Sequence, residues 1–172
     1  MLSVTGLVLI SLSFNSVGID RPTLPRSVLQ DGFSKARCTV PPERASVVGS
    51  EQIGRGLQIV EVSCWSGAVN VGSVLFSVPP DRPEDARVVM LERWHGDRVR
   101  PGYRVASPSY DPDTRTLTSH WKGRSAGDCG TIVEWKWTGW YFRLVHVWDK
   151  SNCDGEPFEW DNRFSWQVYP KP

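Results

Sequence analysis

The stretch "TIVEWKWTGWYFRLVHVW", residues 131–148, constrains the fold more than any other part of the chain. Val133, Trp135 and Trp137 alternate with Ile132, Glu134 and Lys136, and the run then turns at Thr138-Gly139 into Trp140, Phe142 and Leu144. Side chains that alternate with period two lie on opposite faces of a strand, so the stretch predicts a β-hairpin with one aromatic face. The nine tryptophans, 13 prolines and 15 glycines of the 172 residues fit that choice. Bulky aromatics suit pleated surfaces, and Pro and Gly suit many tight turns.

Other segments extend the β pattern. "LQIVEVSC" (57–64) and "VNVGSVLFSV" (69–78) read as strands joined across "WSGA", with Gly67 in the turn. "ARVVMLERW" (86–94) is a third apolar run in which Val88 and Val89 lean towards strand, with helix as the alternative. In "SYDPDTRTLTSHW" the Asp-Pro-Asp sequence marks a turn, with the second Asp capping the bend, before Leu117, Ser119 and Trp121 alternate with Thr116, Thr118 and His120. "RFSWQVY" reads as a closing strand. The predicted class is mainly β, an antiparallel sheet or sandwich of about six to eight short strands, disulfide-bonded, with a short helix or arm at the N-terminus. Residues 57–172 form the β domain in this reading. Residues 20–56 form an arm or linker with a short helix near Ser27 to Arg37.

Charge excludes some partners. With 20 basic and 19 acidic residues the chain has no electrostatic footprint for a nucleic-acid backbone or an anionic membrane. Residues 1–19 hold an apolar run, Leu7 to Ile10 and weakly on to Phe14, too short to span a bilayer but long enough for a signal-peptide h-region. No Lys or Arg precedes Arg21, so a basic n-region is missing and an apolar N-terminal strand is the alternative. A signal implies export to the periplasm or beyond the cell, with no transmembrane segment in the mature chain.

Export bears on Cys38, Cys64, Cys129 and Cys153. An even count in an exported domain favours disulfides, for which three pairings are open. Cys129 precedes the 131–148 hairpin and Cys153 follows it, so the stems bring these two to one end of the sheet. The pairing predicted is Cys129 with Cys153 and Cys38 with Cys64. Zinc is disfavoured because no two cysteines have the close spacing of a metal knuckle and no histidine stands beside them. No cofactor motif is present.

"GRSAGDCG" (123–130) contains the literal G-x-S-x-G of a hydrolase nucleophile elbow, centred on Ser125. The elbow needs a helix after the serine, and here a period-two strand follows. His146 as the later histidine precedes Asp149, the reverse of the required order. Gly123 and Gly127 therefore read as turn formers. Cys129 with His120 or His146 as base is the other catalytic arrangement, but a structural disulfide explains the cysteine better.

The segments "LQIVEVSCWSGAVN" and "YDPDTRTLTSHWKGRSAGDCGTIVEWKWTGWYFRLV", then "NCDG" and a terminal Trp-containing strand, resemble the bacterial envelope proteins grouped as domain of unknown function 1176. Cys64, Gly67, Ala68 and Asn70 match one family motif. Lys122, Gly123, Arg124, Gly127, Asp128, Cys129 and Gly130 match another. Val69 stands where the family usually has Tyr. The likeness covers roughly residues 57–168, and family members usually carry an additional N-terminal half. The resemblance implies an exported, disulfide-bonded β domain and assigns no catalytic residue.

The function expected is a non-enzymatic binding or accessory module whose partner is an envelope protein or a glycan. A carbohydrate-binding domain using exposed Trp is the alternative, with Trp65, Trp121, Trp140 and Trp160 as the rings to watch. A hydrolase using Cys129 or carboxylates ranks last. The candidate binding surface is the glycine-rich turn with Lys122, Arg124 and Asp128, together with Trp65 and Asn70 of the "WSGAVN" connection. Arg124 and Asp128 could instead simply pair with each other across the turn.

Overall fold

The computed structural model describes residues 24–54, 56–158 and 163–170. The apolar segment of residues 1–19, expected as a signal peptide or a strand, and Trp160 lie outside them. Among the described residues there are one α-helix, α1 (Arg26–Ala36), and twelve strands. The strands are β1 (Val47–Gln52), β2 (Gln58–Ser66), β3 (Val71–Val78), β4 (Arg87–Val88), β5 (Leu91–Trp94), β6 (Val99–Gly102), β7 (Arg104–Ala106), β8 (Pro108–Asp111), β9 (Thr116–Lys122), β10 (Gly130–Trp137), β11 (Phe142–Lys150) and β12 (Gln167–Tyr169). The fold is mainly β, as the alternation indicates. The strands outnumber the expectation because several have only two to four residues, below the length at which a periodic pattern can be read.

Two sheets form. The first runs β1-β2-β3-β4, and β7 shares with β4 the outer side of β3. The second runs β6-β5-β11-β10-β9-β8, with β12 also on β11. All pairings are antiparallel except β5 on β11, which meet in parallel at Leu91 and Phe142. The run 86–94 is extended, and it crosses between sheets. Arg87–Val88 pairs with β3, and Leu91–Trp94 passes to the second sheet.

One core lies between the sheets. Ile59, Leu75 and Val105 of the first meet Leu117, Trp135, Phe142 and Leu144 of the second. On the other face of the first sheet, Val60, Val62, Val74 and Phe76 pack with Phe33 and Ala36 of α1. β2 is therefore buried on both faces, which is why "IVEVSC" is nearly continuous in apolar residues. A smaller cluster of Ile132, Trp148 and Phe158, with Trp166 against it, covers the outer face of the second sheet.

The segment 20–56, expected as an arm, is integral to the fold from residue 24 onward. β1 pairs along β2, and α1 supplies part of the second core. The helix ends at Arg37 in the left-handed conformation, and Cys38 bonds Cys64. The amide groups of Thr39 and Val40 then both donate to the Cys64 carbonyl. Short strands rich in Gly and Ser leave little apolar signal, so pairing that is obvious in space reads as linker in sequence.

Two local expectations also shift. Trp140, expected on the apolar face with Phe142 and Leu144, belongs to the turn before β11 and is 90% exposed. In the Asp-Pro-Asp turn the first Asp caps. The Asp111 carboxylate accepts from the Asp113 and Thr114 amides and the Thr114 hydroxyl, which holds its pKa below the ordinary value.

Candidate functional site

The turn between β9 and β10 is closed by glycine-dependent geometry. Gly123 donates its amide to Cys129 O at 2.9 Å, and Gly127, at φ 71°, donates to Arg124 O. Ser125 lies in this strand-to-strand turn, with no helix behind it to stabilise an oxyanion. Cys129 bonds Cys153, so its sulfur is not available as a thiolate. Both disulfides have the predicted partners.

Arg124 and Asp128 form a bidentate pair: Nε donates to Oδ1 at 2.6 Å and Nη2 donates to Oδ2. Asp128 Oδ2 also accepts the Gly155 amide at 2.7 Å. The Arg124 guanidinium, then the Gly155 amide, hold the Asp128 carboxyl well below the usual carboxylate range. Close by, the buried Lys150 ammonium donates to Asp154 Oδ1 and Glu156 O. Asp128 is thus a latch that, with the Cys129–Cys153 bond, fastens the 151–156 loop to the turn.

Asn70 and Lys122 meet as directly. The Asn70 carboxamide donates to Lys122 O at 2.7 Å and accepts from Lys122 N at 2.8 Å. β8 covers β9 only as far as Ser119, so the outward backbone groups of Lys122 have no strand partner. The carboxamide, shaped like a peptide, replaces it. This bond brings the two sequence-indicated segments together at a seam between the sheets.

Trp65 fills the seam. A register shift at Ser63/Trp65 leaves its ring opposite Gly72, where any Cβ would fall about 1.8 Å from the indole. The ring packs on Trp121 with centroids 5.0 Å apart, and the Arg104 guanidinium stands over it at 5.1 Å. Trp65 and Asn70 are buried, so they support the surface and do not form it. Trp121 is 42% exposed.

Beyond Trp121 the sheets part and leave a cleft of about 360 Å³. Arg93, Arg104 and His95 line it with Trp94, Trp121 and Trp135, and among the described residues no lining residue is acidic. It adjoins a second hollow of about 540 Å³, reached past Trp94, Thr131 and Val147 and lined also by Asp149 and Gln167. Arg93 lays its methylenes over Gly102 and approaches Arg104 O with Nη1 at 3.4 Å. Burial, then the neighbouring Arg104 charge, lowers the Arg93 pKa from its ordinary value. Neither guanidinium has a carboxylate within ion-pair distance among the described residues. Arg104 Nε is closed to solvent and has no hydrogen-bond partner there.

Arg93, Trp94 and Arg104 escaped the sequence reading because they lie in short strands that look like ordinary apolar runs. The signal available was Gly102, a strand glycine that makes room for a long side chain opposite. Trp121 and Trp140 are both open, but Trp140 is at the far end of the β10–β11 hairpin and belongs to no shared platform.

A family model described as "Protein of unknown function (DUF1176)" matches residues 21–169, a span that takes in α1 and β1 as well as the motifs around Cys64 and Cys129. The chain is also similar to the "Uncharacterized protein YpfG" of Escherichia coli (strain K12), with 27% identity over 119 residues. That alignment covers 69% of this chain and 34% of the relative, so the match spans about a third of the longer protein. No solved structure matches the chain significantly.

Proposed function

This chain belongs to the DUF1176 family, and we propose that it is an exported, non-enzymatic binding module of the periplasm or cell surface whose ligand enters the Arg93–Arg104 cleft. The observation that carries the reading is a concave, aromatic site with two arginines that, among the described residues, no carboxylate neutralises. Buried polar groups are ordinarily paired, and charges left open in a concavity favour a ligand of opposite sign. Two disulfides suit an oxidising compartment. Among the described residues no helix is long and apolar enough to cross a membrane.

The bonded Cys129 and the strand-to-strand turn at Ser125 weigh against hydrolysis through either residue. A carbohydrate-binding domain is the second reading, favoured by the open Trp121 ring at the cleft wall.

The test is an array of envelope-derived glycans and peptides probed with the oxidised chain and with Trp121→Ala and Trp140→Ala. Binding lost in Trp121→Ala and retained in Trp140→Ala supports the cleft. Binding indifferent to both moves the surface elsewhere, and release of a cleaved product from any ligand overturns the non-enzymatic half.

A further inference from the structure

We propose that the cleft recognises a carboxylate-bearing sugar, with Arg93 and Arg104 as the carboxylate fork and Trp121 as the face on which the ring lies. The proposal rests on the cleft being the binding surface and adds the class of ligand.

A guanidinium presents planar, parallel N–H donors that match the two oxygens of a carboxylate. Here the two arginines come from opposite sheets, Arg93 from β5 and Arg104 from β7; both line the cleft, and Arg93 Nη1 donates to the Arg104 backbone carbonyl at 3.4 Å. Arg104 is held from behind by the Trp65 ring, which is itself locked over Gly72. Each arginine is thus held by a contact of its own before any ligand arrives, Arg93 over Gly102 and Arg104 over Trp65, and preorganisation of this kind raises affinity by reducing what must be ordered on binding. Like charges so placed, with no acid among the described residues of the lining, form an incomplete site that an anion completes.

The wall next to that fork is aromatic. Trp121 stacks on Trp65 and leaves part of its ring open to the cleft. A flat apolar ring beside planar donors fits a ligand with one apolar face and one acidic edge, which describes a uronate. The adjoining hollow, with Asp149 and Gln167, offers acceptors and donors for hydroxyl groups of a following residue, so the groove suits an oligomer.

Two other anions fit less well. A phosphate is met by the same guanidinium donors, but a bare phosphate has no apolar face to lie on Trp121, and no helix N-terminus adds to the site because α1 packs on the far face of the first sheet. An acidic peptide can meet an arginine cluster in the same way, but its carboxylates sit on flexible side chains with no flat apolar face for Trp121, and strand addition to β9 is blocked at Lys122 by Asn70.

Isothermal titration of the oxidised full chain decides the matter, using trigalacturonate and triglucuronate, their methyl esters, a glutamate hexapeptide and inorganic phosphate as probes. At least one free-acid trimer should bind, and esterification should weaken it about tenfold to a hundredfold, the range of losing a charged hydrogen-bonded pair. Arg93→Gln and Arg104→Gln should each reproduce much of that loss for the acid and little for the ester, with near-UV circular dichroism unchanged. Trp121→Ala should weaken acid and ester alike.

Equal affinity for acid and ester removes the carboxylate while leaving a binding module in place. Tighter binding of the peptide, or of phosphate, transfers the site to that class and overturns the sugar. If neither uronate binds at millimolar concentration the proposal fails. The cleft itself fails only if Trp121→Ala also leaves array binding untouched.

Discussion

Asn70→Ala isolates the seam on which the candidate site is built. The wild-type carboxamide makes two hydrogen bonds, at 2.7 and 2.8 Å, to a residue 52 positions away, and it is 6% exposed. Each such bond is worth about 1 kcal/mol net, and orphaning a partly buried backbone donor and acceptor adds to the loss. The expected destabilisation is therefore about 2–4 kcal/mol, a large fraction of the roughly 5–15 kcal/mol that holds a domain together. Equilibrium urea unfolding of the oxidised protein measures it, with the m-value checked for constancy. Asn70→Asp provides the control on mechanism. The ionised side chain can still accept from Lys122 N but sets an anionic oxygen against Lys122 O, so it should lose at least as much as Asn70→Ala at neutral pH. Its deficit should shrink once acid protonates the new carboxyl and restores a donor. A loss below about 0.5 kcal/mol for Asn70→Ala, the size of an ordinary surface change, would refute the argument, as would a stable Asn70→Asp at neutral pH.

Further outcomes follow from the same geometry. Each disulfide closes a loop of 24 or 26 residues, so replacing Cys129 and Cys153 together by Ser should cost about 3.5 kcal/mol; an unchanged urea midpoint under oxidising conditions would contradict it. Ser125→Ala should leave stability and ligand binding unaltered, and a fluorophosphonate probe should not label Ser125. Gly127→Ala, forcing a side chain into φ 71°, should lose about 1 kcal/mol in the same unfolding assay. The Asp128 carboxyl has a depressed folded pKa, so its contribution to stability is complete above the unfolded value of about 3.9 and is lost as the pH falls below it. The Arg124→Ala/Asp128→Ala double variant should show a shallower decline in melting temperature below that pH, and parallel wild-type and variant curves would contradict the latch.

What could be read in the sequence was local. The 131–148 alternation announces β10 and β11 because strand side chains repeat every second residue, and the hairpin then places Cys129 and Cys153 at one end. The β2–β3 hairpin is legible from strand composition on either side of a glycine-containing turn, and the turn role of Gly127 from its place in a glycine-rich connection between strands. The motifs around Asn70 and Arg124 could be singled out, but not what their side chains do. Their contacts depend on two segments meeting across a seam, and no periodicity records that meeting. Only the tertiary structure turns Asn70 into a substitute strand, Asp128 into a latch and Trp65 into the support beneath Arg104. It also decides that residues 86–94 cross from one sheet to the other, which brings Arg93 beside Arg104. Local sequence determines strands and turns because those are short-range preferences of the backbone. The cleft arises where the packed faces of two sheets run out, and that boundary is a property of the assembled core.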